Sequence, residues 1–563
     1  MRISVVITLL IAAVNARPSI YPDGDQVIDQ NQDGVQLANG KNIYQDTNQG
    51  QNAEQDVSGG RKQKNDQGIN QNQDSIVLAN GKNIGQITNQ GQNGEQDTSG
   101  GVSKNNDQGI DQNQDSIKVA NGKNIGQVTN QGQNGEQNSS GDVSKNDDQG
   151  IDQNQDSTEV ANGKNIGQIT NQGQNGEQDT SGGVSKNNDQ GIDQNQDSTE
   201  VANGKNIGQI TNQGQNGEQD TSGGVSKNND QGIDQNQDSI KVANGKNIGQ
   251  VTNQGQNGEQ DSSGDRNTDN DKNIDQNQDN NQKGNGKNIY QVSDQGQNAE
   301  QKSSGDRNKD NDKNIDQNQD NNQKANGKNI YQESNQGQNA EQDSSGGPNK
   351  YAVQGIGQNQ DSSQVARGIN IGQVTNQLQN GQQGSRNGLP SLPNKGSIPK
   401  TNQNLYQNQG SIQQANGKNI GQVTGQYQNG IQNGIGGRLP IPIRGIKPNA
   451  YQGLGQNQLS IQQAYGTNID QLTNQGQNGV QTSGGNGSTD QGINQNQGSS
   501  QLAKGRNLGQ VNNQLQNGMQ KVTVTKGLPG TKQITQNQLN TQGANGENIH
   551  QLTTQYQNGE QLL

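Results

Sequence analysis

The sequence predicts an all-β chain wound as a β-solenoid or cross-β stack, and three observations carry that prediction. One pattern, GINQNQDSIVLANGKNIGQITNQGQNGEQ over Gly68 to Gln96, returns thirteen times. Its central residue recurs as Ala38, Ala79, Ala120, Ala161, Ala202, Ala243, Gly284, Ala325, Ala366, Ala415, Ala464, Ala503 and Ala544; the first eight steps are 41 residues and the last four are 49, 49, 39 and 41. Each copy holds an aliphatic-x-Gln signal twice, ten residues before the centre and five after it. From Ile28 to Asn380 only Pro348 intervenes, which suits a backbone whose N–H groups are all needed in a ladder.

Composition narrows what such a chain can be. Of 563 residues 21% are hydrophobic, Trp, Phe and Cys are absent, and 82 are Gly. That is too little apolar surface for ordinary cores. Either the chain is an intrinsically disordered low-complexity polymer, or polar side chains stack and hydrogen-bond at every level, as Asn and Gln do in cross-β assemblies. Strict spacing favours the second. The net charge of −13 is interleaved along the repeat, so neither a basic stripe nor an aromatic platform points to nucleic acid.

In chain order, Met1 to Ala16 has one Arg, an apolar run from Ile3 to Val14 and small residues at its end, the pattern of a secretory signal peptide. Residues 17–27 form a short leader with Pro18 and Pro22, residues 28–381 regular repeats, and residues 382–563 divergent repeats with two Pro-rich, basic insertions. These, Ser385 to Lys400 and Arg438 to Lys447, read as loops outside the stack. No later stretch is apolar enough to span a membrane. Inside a repeat, Ile84, Gln86, Thr88 and Gln90 alternate with Gly85, Ile87 and Asn89, the two-residue period of a strand. Ile69, Gln71 and Gln73 do likewise. Asp74–Ser75, Asn80–Gly81 and Asn93–Gly94 are turn candidates, and the variable, Gly-rich Asp97 to Gln108 reads as an outward loop. Each repeat then makes two rungs of about 20 residues, and twenty-six rungs at about 4.8 Å span on the order of 125 Å.

The expected ladder residues are Ile69, Gln71, Gln73, Ile84, Gln86, Ile110, Gln112, Ile125, Gln127, Ile151, Gln153, Ile166 and Gln168. Their grammar, as in Ile125-Gly126-Gln127 … Gln133-Asn134-Gly135-Glu136-Gln137, resembles the curlin repeats of bacterial amyloid fibres. The resemblance implies strand-turn-strand rungs and a secreted subunit that polymerises end to end. This chain departs from the family in a longer turn, a missing Gly after the first Gln and a doubled period.

No catalytic or cofactor-binding constellation emerges. His550, the single His, has no partners for general base chemistry or metal binding in its sequence surroundings. Recurring carboxylates such as Asp111 and Asp115 suit a solvated rod face. Asp265-x-Asn267-x-Asp269-x-Asp271 and its counterpart at Asp306 space oxygen ligands like a calcium loop, yet lack its turn Gly and closing Glu. Asn138 and Asn486 open glycosylation sequons, and Lys82 and Lys123 beside abundant Gln suit transglutaminase crosslinking. The sequence therefore reads as a secreted, extracellular structural protein, not an enzyme. It self-associates, with other matrix proteins as further partners and no nucleic-acid or membrane partner, as a component of silk, glue, cuticle, eggshell or a sheath. Two alternatives are an ice-binding solenoid displaying Thr88, Thr129 and Thr170, and a disordered hydrophilic polymer.

Overall fold

The computed structural model describes residues 26–59, 65–102, 105–143, 146–305, 310–346, 351–387, 400–435, 449–485, 488–524 and 532–562. The expected signal peptide, Asn486 and nearly all of both Pro-rich insertions lie outside them. What is described is almost entirely β-strand, joined into one sheet whose pairings are all parallel. The expected solenoid is the fold.

Its register follows residue identity. Ile28 lies beside Ile69, Ile69 beside Ile110, Gln71 beside Gln112 and Asn72 beside Asn113. Where the spacing changes the pairing changes with it: Gln354 pairs Gln403 and Leu454 pairs Ile493. One repeat is thus one coil. It supplies two strands, as expected, but they do not stack on each other; each lies on its own counterpart in the next repeat. Thirteen coils at about 4.8 Å make a rod on the order of 60 Å, half the expected length.

The two arms of a coil fold back at the Asn-Gly-Lys turn. The strand Asn105–Asn121 gives way to a bend at Gly122 and Lys123, and the strand Asn124–Val143 returns. Across the interior the arms face each other: Gln131 Nε2 donates to Gln114 O at 3.0 Å and Gln114 Nε2 to Gly132 O at 3.3 Å. Two apolar seams bracket the coil. Ala79, Ile84, Ala120 and Ile125 form the one at the turn; Ile69, Ile110 and Ile151 belong to the other, at the far end. Between them the interior is mostly Gln, Ser and Thr.

Three local expectations are corrected. Asp74–Ser75 and Asn93–Gly94 are not turns but strand, paired residue for residue with neighbouring coils. The expected loop at Asp97 to Gln108 is largely strand too, and its counterpart runs unbroken within Asn165–Asn203. The physical reason is constant length: connections of equal length stack in register, so Asp179 meets Asp220 and Asn187 meets Asn228, and backbone pairing overrides a loop-like composition.

Candidate functional site: ladders inside, columns outside

All thirteen expected ladder residues point inward. Ile69, Gln71, Gln73, Ile110, Gln112, Ile151 and Gln153 line the first arm, and Ile84, Gln86, Ile125, Gln127, Ile166 and Gln168 the second, every one of them buried. Gln112 Nε2 donates to Gln71 Oε1 at 2.9 Å, and this column continues link by link from Gln536 down to Gln30. A second runs from Gln551 to Gln45. Gln90 and Gln92, which the motif did not single out, begin two more such bonds, to Gln49 and Gln51. The other amide hydrogen crosses the core, as from Gln112 to Asn134 O at 3.2 Å. Each amide therefore joins coil to coil and arm to arm, which satisfies a buried polar interior. Outside, Asn ladders repeat the device: Asn124 Nδ2 donates to Asn83 Oδ1 at 2.8 Å and Asn165 to Asn124 at 2.9 Å.

Glycine at the turn is a condition of the stack. A Cβ on Gly163 would stand 2.6 Å from the carbonyl oxygen of Gly122 one coil below. Gly occupies this place in all thirteen copies, from Gly40 to Gly546.

Charges enter the core where a Gln column changes composition. Gln36 and Gln282 belong to a column that reads Val77, Lys118, Glu159, Glu200 and Lys241 in between, and these four charges are fully buried. Lys118 Nζ lies 3.7 Å from Glu159 Oε1 and donates to Thr129 Oγ1 at 2.6 Å and to Val128 O; Lys241 donates to Val251 O. Thr129 and Thr211 hydroxyls donate to Glu159 and Glu200 at 2.7 and 2.9 Å. Burial lowers Lys118 and Lys241 to about 8 despite the opposing carboxylates, and burial together with Glu159 lifts Glu200 to about 7. Lys272 and Lys313, stacked in another Gln column, take the amide's place by donating to the Gln260 and Gln301 carbonyls at 3.1 and 3.2 Å. Alternation carried the clue: Lys118 lies two residues before Ala120, on the inward parity.

Outside, the two arms differ. The first displays stacked Asp columns, Asp111-Asp152-Asp193 and Asp74-Asp115-Asp156 among them. Burial and neighbouring carboxylates raise Asp152, Asp238, Asp275 and Asp320 to about 6. The second shows an aliphatic ridge, Ile87-Val128-Ile169-Ile210-Val251, half-buried at its ends and exposed at Ile169 and Ile210, between two axial grooves. Gly85, Gly126 and Gly167 lie along one groove; Gly91, Gly132 and Gly173 lie along the other.

Thr88, Thr129 and Thr170 face the core at 0% exposure, which removes the Thr array behind the ice-binding alternative. Asp269 and Asp271 lie in the paired strand Asn247–Asn285 rather than in a loop able to wrap an ion. Among the described residues no three His, Cys, Asp or Glu side chains are grouped to hold a metal. Lys82 and Lys123 stand exposed at the turn. Asn138 is in a strand, its side chain outside what is described. No family model, curated protein or solved structure matches the chain. Its likeness to curlin repeats rests on the Ile, Gln and Asn grammar alone.

Proposed function

We propose that this chain is a secreted structural protein that self-assembles as the building unit of an extracellular material such as silk, glue, cuticle, eggshell or a sheath. The observation that supports this best is the interior: amide columns continuous over all thirteen coils, bracketed by two apolar seams that run with them. Such a rod resists deformation along its whole length, because each coil is bonded to the next through backbone and side chains alike. Stacked Ile, Gln and Asn in a strand-turn-strand coil also support the curlin-like fibre as the closest physical analogue.

Two measurements test it. Fibre diffraction on the assembled protein is expected to give a reflection near 4.7 Å along the fibre axis. Expression in a secreting cell is expected to release a product beginning near Arg17. Backbone amides exchanging as fast as in a free peptide across the repeats would instead support the disordered hydrophilic polymer, and a product retained inside the cell would remove the extracellular role.

A further inference from the structure

Three features of the second arm run unbroken through the first eight coils and are interrupted together at the ninth. The turn lysines run Lys41, Lys82, Lys123, Lys164, Lys205, Lys246, Lys287 and Lys328; the next copy has Ile369, and Lys returns once more at Lys418. At the other edge of the same arm, Glu54, Glu95, Glu136, Glu177, Glu218, Glu259, Glu300 and Glu341 are followed by Gln382. The groove glycines, Gly50 to Gly337, give way to Leu378 and then Tyr427. Between these limits the outer face holds a cationic edge, a Gly groove and an anionic edge, with an aliphatic ridge from Ile87 to Val251 that gives way to Asp46 on one side and to buried Val292 and then Glu333 on the other. Ile169 and Ile210 on the ridge are 36% and 38% exposed.

We infer that this face docks a second copy of the chain, the two rods lying side by side and parallel, related by a twofold axis along the rod over the Asn89-Asn130-Asn171 column. The inference rests on the self-assembling role proposed above and specifies its lateral contact. That axis reverses the strand direction while keeping the coil level. Ile169 of each copy then enters the groove at Gly173 of the other, four residues away and open, since a Cβ built on Gly173 meets nothing within 4 Å. The same operation sets each Lys edge against the partner's Glu edge, so the columns neutralise each other. From Asn89 to Asn253, before Asp294 enters the column, the Asn side chains brought into contact already bond along the rod, as Asn171 to Asn130 at 2.8 Å, so covering them leaves no amide stranded. Five coils, from Ile87 to Val251, by the thirteen residues from 83 to 95 give roughly 1,000 Å² per copy, above the roughly 800 Å² per partner of a standard interface. A twofold across the rod would instead set ridge on ridge. The first arm has aliphatics as well, Ile76 and Leu78, but its Asp columns share that face and would repel a copy of themselves.

Mass per length of the assembled full chain, measured by scanning transmission electron microscopy, is the test. The expected value is twice that of one coil per coil rise, falling twofold in Ile169→Asp/Ile210→Asp and in Gly173→Leu/Gly214→Leu. The Leu variant keeps the fold, because Leu378 and Leu515 occupy the same position elsewhere; unchanged circular dichroism verifies this. The chain has no Cys, so Asn171→Cys places one thiol on the axis and is expected to give covalent dimers with a short bis-maleimide, whereas Asp193→Cys on the first arm is not. Single-width assemblies of the unaltered chain, doubled ones that survive the Leu variant, or cross-linking through Asp193→Cys alone would each overturn the pairing. A chain that never assembles would instead remove the structural role on which the pairing rests.

Discussion

Two glycines in one coil do different work. At Gly163 an added methyl meets the backbone carbonyl of Gly122, which cannot move without breaking the turn's own bonds, Gly122 N to Asn162 O and Lys164 N to Lys123 O, both at 2.9 Å. At Gly176 it meets Ile192 Cγ2 at 2.7 Å, a side chain that can yield, and copies with Ala53, Ala299 and Ala340 in that place show that it does. Thermal unfolding of Gly163→Ala should therefore reveal a loss of about 1–3 kcal/mol, the usual cost of overpacking, while Gly176→Ala stays close to the parent. Equal losses would mean the turn carbonyl has more room than its geometry allows. Ser157 poses the opposite case: its hydroxyl is buried without a hydrogen-bond partner. Removing it costs no bond, so denaturant midpoints of Ser157→Ala should match or exceed the parent.

At the scale of the coil, the Lys118-Glu159-Glu200-Lys241 column interrupts an amide ladder with four buried charges, of which Lys118 and Glu159 form an ion pair. Removing one partner strands the other: Glu159→Gln leaves Lys118 buried without its carboxylate, an expected loss of about 3–5 kcal/mol. Replacing all four by Gln restores the residue found at Gln282, Gln323 and Gln364 in the same column, and denaturant unfolding is expected to show a gain of about 1–4 kcal/mol. Much of this coil was legible in the sequence, because a two-residue period names the inward face wherever Ile84, Gln86 and Thr88 alternate with Gly85, Ile87 and Asn89. Partner choice was not. Ile69 and Ile84 head such similar motifs that stacking one on the other is the economical guess, whereas the chain matches residues 41 apart, where every flanking side chain also agrees. Asp97 to Gln108 misled for a related reason: its composition is that of a loop, and only its constant length over the first eight steps betrays a strand.

Over the whole rod, columns of like charge make stability depend on acidity in an unusual sense. Asp152, Asp238, Asp275 and Asp320 near 6 and Glu200 near 7 all exceed their ordinary values. These five groups, which outnumber the buried Lys272 and Lys313 acting in the opposite sense, therefore bind more protons in the folded rod than in the unfolded chain between about pH 4 and 7. Their stabilising contribution is complete below the unfolded values and is lost as pH rises through the folded ones. Urea midpoints should accordingly climb on acidification from pH 7 to pH 4.5; a fall over that interval would show that the Asp columns are better hydrated or counter-charged than their stacking indicates. The buried Gln columns also share a single sense, since in every Gln-to-Gln link along the Gln30–Gln536 and Gln45–Gln551 columns Nε2 donates to the coil of lower number. Such a rod is an arrow, donor-rich at one tip and acceptor-rich at the other. A filament lengthened from it would join nose to tail and extend at unequal speeds from its two ends.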